Sequence, residues 1–339
     1  MVRMSEIKKS NFKFLKTFKG IRSDRCFLAC AILLVIFPIF VRDPYILNVM
    51  IISLIFAVLA ASWNLICGYT GIFTFGHQAF FGIGAYVSSL LAMKVGISPW
   101  YGLFIGGMAA ALASFLIGLP SLRLRAAPYI AIMTLAFSEI VRITCMNLVD
   151  LTRGESGLWG IPNFPELHLP LFGVISFAGG VRIPYYYLIL IIFIITMLTL
   201  YFIVNSHVGL AFRSLRDSQD AAESLAVNIT YFKLLAFIVS AFFAGVAGSF
   251  YAHYLLILTP SSVFSLGMMI EIMAITLIGG LGSFMGPVLG AFLLTVGLEY
   301  LRFLGEYRFI TYGILVVLMI LYMPQGLTKR LFRDKEILE

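Results

Sequence analysis

The chain has 339 residues, of which 61% are hydrophobic, 15% aromatic and 12% charged, with a mean hydropathy of +1.00. A soluble domain carries about 25% charged residues, so this composition excludes a water-soluble enzyme, a disordered chain and, with four cysteines, a secreted disulfide scaffold. The net charge of +8 does not signal nucleic acid, because the basic residues gather at the chain ends beside apolar runs, as they do in membrane proteins.

The chain opens on a basic tail, residues 1–25, which holds eight of the 24 Lys and Arg residues. Within it Phe14, Leu15, Phe18 and Ile21 recur at helical spacing among Lys13, Lys16 and Lys19. The pattern suits an interfacial helix on an anionic inner leaflet, or a basic tail that only fixes orientation. The apolar run Cys26–Val41 ends in FPIFVRDPY without a small-residue cleavage site, so it reads as a retained first helix and not a signal peptide.

Nine further runs reach or approach the roughly 17–25 residues a crossing needs. They are Tyr45–Cys67, Gln78–Met93, Trp100–Leu119, Tyr129–Val149, Tyr185–Val204, Leu234–Ile257, Leu266–Ile278, Val288–Leu301 and Phe309–Met323. The expected fold is all-α, a polytopic membrane helical bundle of about ten transmembrane helices over residues 26–323, with a basic tail over 324–339. With ten crossings, 17 Lys and Arg fall on the expected inner side and 6 on the outer, leaving Arg142 within a span. Both termini are therefore expected to be cytoplasmic.

The longest connections are Asp150–Pro184, outside, and residues 205–232, inside; neither can hold a second domain. No GxxxxGK[ST], HExxH or GxSxG string occurs, so ATP, if used, is hydrolysed by another chain.

Three segments depart from plain apolar helix. The first, NLICGYTGIFTFGHQAFFGIGAY over 64–86, sets five glycines among polar and aromatic residues between two spans. For Gly68, Tyr69, Thr70, Gly71, Phe75, Gly76 and His77 it reads as a broken helix on a transport path, where freed backbone must be buried in protein or line a wet cavity. The alternative is close packing through small residues, the reading preferred for Gly82 and Gly84. In the inner loop, Asp217 or Ser218 can cap a short helix. Its face would carry Ala221, Ala222, Leu225 and Ala226, with Glu223 turned away, Asp220 in the same helix and Asn228 as a left-handed C-cap. Such a small-residue helix suits a partner's cleft; a helix lying on the bilayer would want larger apolar residues. In the third segment Gly279, Gly280, Gly282 and Gly286–Pro287 split an apolar stretch, and Glu271 lies within it, expected to face the bundle interior.

Glu139 and Arg142 are spaced to pair on one helix face, as a structural pair or a functional one. His77 and His253 are isolated histidines in apolar helices, and Glu299 marks an outer boundary. Cys26, Cys30, Cys67 and Cys145 form no CxxC pair and read as small apolar residues. No metal and no cofactor is implied.

The strings NLICGYTGIFTFGHQAFFGIGAY, RDSQDAAESLAVN with AFIVSAFFAGVAGSFYAH, and LIGGLGSFMGPVLGA resemble the signature regions of the branched-chain amino-acid ABC-transporter permeases. PYIAIMTLAFSEIVRI and LTRGESGLWGIPNF resemble the LivM-type half of that pair; the likeness runs from about Tyr45 to Gly326. The resemblance implies transport without an ATPase site of its own, a second related permease, two ATP-binding subunits and an extracytoplasmic substrate-binding protein. It makes Asp217–Asn228 the coupling helix on the ATPase, and it makes Ala222→Arg an expected loss of uptake with insertion intact. The sequence departs from the family where Ala226 and Arg153 replace glycines and Ile72 a common glutamine. A urea or short-amide importer shares these motifs. An intramembrane enzyme would need Glu139, His77, His253 and Glu271 to converge on one centre, and a channel or secondary transporter would work without an ATPase.

Overall fold

The computed structural model describes residues 32–121, 127–169, 173–177, 180–305, 307–322 and 326–331. The expected interfacial tail over 1–25, Cys26, Cys30 and most of the C-terminal basic tail lie outside the described residues. Helix α1, residues 32–40, belongs to a unit that ends at Arg42; a second unit begins at Asp43 and holds everything below.

Helix α2, Pro44–Asn64, starts where Asp43 accepts the Tyr45 N–H at 2.8 Å and Pro44 occupies the first turn, a position whose N–H would be unpaired anyway. It continues through a π-helical turn, Leu65–Tyr69. There follow α3 (His77–Leu90), α4 (Pro99–Ser121), α5 (Ala127–Asn147), the short α6 (Val149–Thr152) and α7 (Ile183–Val204). The loop helices are α8 (His207–Asp217) and α9 (Gln219–Ser224). The chain then forms α10 (Ile229–Leu255), α11 (Pro260–Val263), α12 (Leu266–Gly279), α13 (Gly286–Tyr300), α14 (Tyr307–Tyr322) and α15 (Gly326–Leu331). Two small ladders interrupt the helices: β1 (Leu158–Trp159) pairs antiparallel with β4 (Ile257–Leu258), and β2 (Leu167–Leu169) with β3 (Gly173–Ile175).

Among the described residues, eight helical stretches are long and apolar enough to cross a bilayer, and they coincide with eight of the expected spans. Seven of the eight run longer than expected, two of them for a visible reason. The α10 crossing starts at Ile229, because Asn228 caps it and the buried Lys233 reaches Gln219 at 2.8 Å. The α12 crossing starts at Pro260, because α11 extends it. Of the first expected span, only the part forming α1 is described. The last forms α14, whose 16 residues fall short of a full crossing by length.

The two ends of the bundle segregate. At one end Tyr45 donates to Glu299, which pairs with Arg302 at 2.9 Å. There too Arg182 donates to Asn48 at 3.0 Å and to Tyr254, and Lys94 donates to the Asp150 carbonyl at 2.9 Å. At the other end lie α8, α9, both glycine strings and α15. Helix α14 lies along the chain between the Arg302 segment and α15.

The core is α10 laid along α3 and α4, with α2 between α10, α7, α12 and α13. Without a hydrophobic force between helices in lipid, close approach and interhelical hydrogen bonds do the holding. At Gly84 the α3 and α10 backbones touch: an added Cβ would lie 2.1 Å from the Gly245 carbonyl oxygen. Beside it Ser249 donates to the Gly84 carbonyl at 3.0 Å, and Ser240 donates to the Ser62 carbonyl at 2.6 Å. Gly82 likewise abuts the Phe264 ring.

Candidate functional site

The two glycine strings are breaks in helices, and they meet. At the first, α2 loosens into its π turn and Gly71 takes a left-handed φ of +73°, so residues 71–76 leave the helix. The freed backbone is satisfied by protein. Thr70 donates to the Ile66 carbonyl at 2.6 Å, Trp63 Nε1 donates to the Thr74 carbonyl at 3.1 Å, and the Phe75 N–H reaches Thr134 Oγ1 of α5 at 3.0 Å. Gly76 then leads into His77 at the start of α3.

At the second break α12 ends at Gly279. Gly280 and Gly282 take φ of +118° and +72°, and Pro287 in its first turn restarts α13. Ser283 stitches this loop, donating to the Gly280 carbonyl at 2.8 Å and accepting the Gly286 N–H at 3.0 Å. Thr328 of α15 donates to the Gly279 carbonyl.

Asn64, 2% exposed, joins the two breaks. Its Nδ2 donates to the Ser283 carbonyl and its Oδ1 accepts the Gly282 N–H, both at 2.9 Å. Gly68 fits beneath it; an added Cβ would stand 2.0 Å from Asn64 Oδ1 and 2.5 Å from the Gly282 nitrogen. From the last turn of α8, Arg216 Nη1 donates to the Gly68 carbonyl at 2.7 Å. Asn64, Ser283, Thr328 and Arg216 carry no motif signal for these roles. An asparagine at the end of an apolar span is itself the one clue available, since a polar group there needs partners.

The structure brings Gly68, Tyr69, Thr70, Gly71, Gly279, Gly280 and Gly282 to this junction. Phe75, Gly76 and His77 sit behind it, where His77 Nε2 is hydrogen-bonded to Ser62 Oγ at 2.9 Å. Among the described residues, His77 Nδ1 and Gln78 Oε1 are buried without a protein partner. A buried polar atom left so costs about 1–3 kcal/mol. Glu271 stands apart, half-buried two turns before Gly279, about 12 Å away along the axis of α12 by helical rise.

Of the two expected caps of α9, Ser218 takes the role, accepting the Ala221 N–H at 3.3 Å; the loop departs from expectation elsewhere. Asn228 is no left-handed C-cap: its φ is −74° and its side chain accepts the Tyr231 N–H at 3.0 Å, capping α10. The left-handed residue is Ala226, with φ +58°. The expected apolar face also divides. Ala222 is 1% exposed and packs into this chain, whereas Leu225 is 77% exposed and Asp220, Ala221, Glu223 and Ala226 face outward with it. The kink at Ser218 (φ −162°) sets which side of this six-residue helix turns inward. An arginine at Ala222 would therefore test folding rather than docking.

Both replaced glycines sit in left-handed backbone, Ala226 at φ +58° and Arg153 at φ +61°. Arg153 recovers part of the cost by stacking its guanidinium over Trp159, 4.3 Å from the ring centre. Ala226 has no such contact. The left-handed form costs an alanine about 1–2 kcal/mol, more than the roughly 0.4–1 kcal/mol of chain entropy that glycine forfeits. Ala226→Gly is expected to raise the melting temperature of the detergent-purified protein, and Ala226→Val to lower it. Ile72, where glutamine is common, is buried.

The remaining polar residues are dispersed. His253 is held by Ser88 Oγ and the Pro162 carbonyl, both at 2.8 Å, beside the Phe164 ring. Glu139 pairs with Arg142 at 2.7 Å on a largely exposed stretch of α5. Glu139, His77 and His253 are thus each engaged by local partners of their own. Among the described residues, no three His, Cys, Asp or Glu side chains gather as a metal would require. Cys67 and Cys145 are free thiols.

Broken helices clasped together inside an apolar bundle, with a helical loop hooked onto the clasp, are the kind of architecture a membrane transport permease uses. The chain belongs to the branched-chain amino-acid transport permease family: a family model described as "Branched-chain amino acid transport system / permease component" matches residues 45–323. It is 33% identical over 320 residues to the high-affinity branched-chain amino acid transport system permease protein LivM of Escherichia coli K12, covering 90% of this chain and 75% of that one. It is 34% identical to LivM of Salmonella typhimurium, with 81% and 68% coverage. To LivH of Salmonella typhimurium it is 24% identical, with 81% and 91% coverage. No solved structure matches the chain. Its apolar spans and its family make it a multi-pass inner-membrane protein of a prokaryote.

Proposed function

We propose that this chain is one of two related permease subunits of an ATP-driven importer for leucine, isoleucine and valine. Two ATP-binding subunits dock on the loop 205–232, an extracytoplasmic binding protein delivers cargo at the opposite end, and cargo passes between this chain and the second permease. The chain has no ATPase site of its own. It crosses the bilayer ten times within residues 26–323, with both termini, the tails 1–25 and 324–339, in the cytoplasm. The names of its relatives support the cargo.

The observation that carries this reading is the outward face of α9, with Leu225 at its edge, on the same end of the bundle as both helix breaks. Energy delivered there biases two bundle arrangements, the basis of alternating access. The segments Gly68–His77 and Gly279–Gly282 form the inner end of the path, and Glu271 stands farther along it. Weak contact with a passing zwitterion along this path lets the cargo leave.

The test is uptake of labelled leucine by cells making all components. Isoleucine and valine should compete; competition by urea or short amides instead would reassign the cargo. Leu225→Asp should cut uptake about tenfold, by removing apolar docking surface worth roughly 1.5 kcal/mol or more, and should strip the ATPases from the purified complex. Full uptake with the ATPases still bound would refute the docking face. A cysteine at Leu225 should react with a membrane-impermeant maleimide only from the cytoplasmic side.

A further inference from the structure

We propose that Arg216 is the positioning residue through which the coupling loop holds the two helix breaks together and lets them go. The inference rests on the importer reading for the identity of the motor, but the lock is read from the junction. Arg216 lies in the last turn of α8, two residues before the Ser218 kink that starts α9. Its guanidinium donates to the Gly68 carbonyl at 2.7 Å, in the final turn of the first broken helix. Carbonyls there lack helical donors and carry the negative end of the helix dipole, so a cation is the fitting cap.

The same side chain touches both breaks. Its stem lies on Gly71, where an added Cβ would come within 3.3 Å of Arg216 Cα and 3.4 Å of its Cγ. Its Nη1 lies against Gly282, where an added Cβ would stand 2.4 Å away. Gly71 and Gly282 both hold left-handed φ, which leaves the arginine a slot that other residues would fill. The ion pairs seen between described residues are Glu139–Arg142 and Glu299–Arg302, so no described carboxylate claims Arg216. Its Nη1 meets backbone of the breaks while much of the side chain stays open to solvent. A displacement of α9 that pulls on the end of α8 moves Arg216, and the Gly68–Gly282 contact loses its clamp.

Cys67, one residue before Gly68 and buried, is a native probe of that contact. The experiment uses the assembled complex in lipid nanodiscs, with Cys26, Cys30 and Cys145 changed to serine, and reads the rate of Cys67 alkylation by N-ethylmaleimide with and without vanadate-trapped nucleotide. With Arg216 present, trapping should change the rate about fivefold or more, the lower range of ordinary coupling factors. In Arg216→Ala the rate should no longer respond to nucleotide. Leucine moved per ATP hydrolysed should also fall about tenfold while the ATPases stay bound, and Arg216→Lys, which keeps the charge but not the fork, should fall between. Unchanged coupling and an unchanged Cys67 response in Arg216→Ala would overturn the inference, as would loss of assembly in step with transport. If Cys67 responds to nucleotide through Arg216 but no leucine is moved, the cargo reading fails and the lock stands.

Discussion

Asn64→Ala should lower the melting temperature of the purified complex by roughly 4 °C or more and cut uptake about tenfold or more. Asn64, at the end of α2, both donates to the second break and accepts from it, bonding the Ser283 carbonyl and the Gly282 N–H at 2.9 Å each. Alanine leaves both backbone groups without partners in a site closed to water. Each such group costs about 1–3 kcal/mol, so the junction loses on the order of 2–6 kcal/mol before any relaxation. Asn64→Asp keeps the acceptor for Gly282 and loses the donor to Ser283, so it should fall between. Wild-type melting and uptake in Asn64→Ala would show that the two breaks are held by something else.

Gly68→Ala should be worse than its single methyl group suggests. The new Cβ would meet Asn64 Oδ1 at 2.0 Å and the Gly282 backbone nitrogen at 2.5 Å. The asparagine cannot swing away without abandoning both hydrogen bonds, and the backbone of the second break cannot yield cheaply. Overpacking of this kind costs about 1–3 kcal/mol or more, and the contact with backbone places Gly68 at the upper end. Uptake should fall about tenfold or more with the protein still inserted. Gly297→Ala is the control: nothing lies within 4 Å of its added Cβ, so the change should be neutral or gain up to about 1 kcal/mol from better helix propensity. Equal effects at Gly68 and Gly297 would contradict the close junction.

Much of this was legible in the sequence. Eight crossings follow from long apolar runs, whose signal is local and strong. The two breaks follow from glycines and a proline placed where apolar helix should continue, and the packing role of Gly84 from its small size. What brings the breaks together was not legible. Asn64 and Gly282 are 218 positions apart, and Arg216 and Gly68 are 148. No local pattern reports such pairs, and Arg216 reads from sequence only as one more inner-side charge.

Asn228 illustrates a different limit. Asparagine serves both helix starts and left-handed helix ends, and where α9 and α10 nearly abut, residue type alone cannot say which. The true left-handed residue, Ala226, was marked in the sequence only by standing where the family keeps glycine. The inward turn of Ala222 escaped for a third reason. A helix of six residues has no long periodic face, so its orientation is set by the kink before it and by the Lys233–Gln219 bond behind it.

The most direct measurement is leucine transport into lipid vesicles by the assembled complex, set beside this chain purified and reconstituted alone. Uptake should need ATP, both kinds of partner subunit and the binding protein, and the lone chain should move nothing. Leucine movement by the lone chain, without ATP and at a rate near that of the complex, would contradict a bundle worked from outside through its loop.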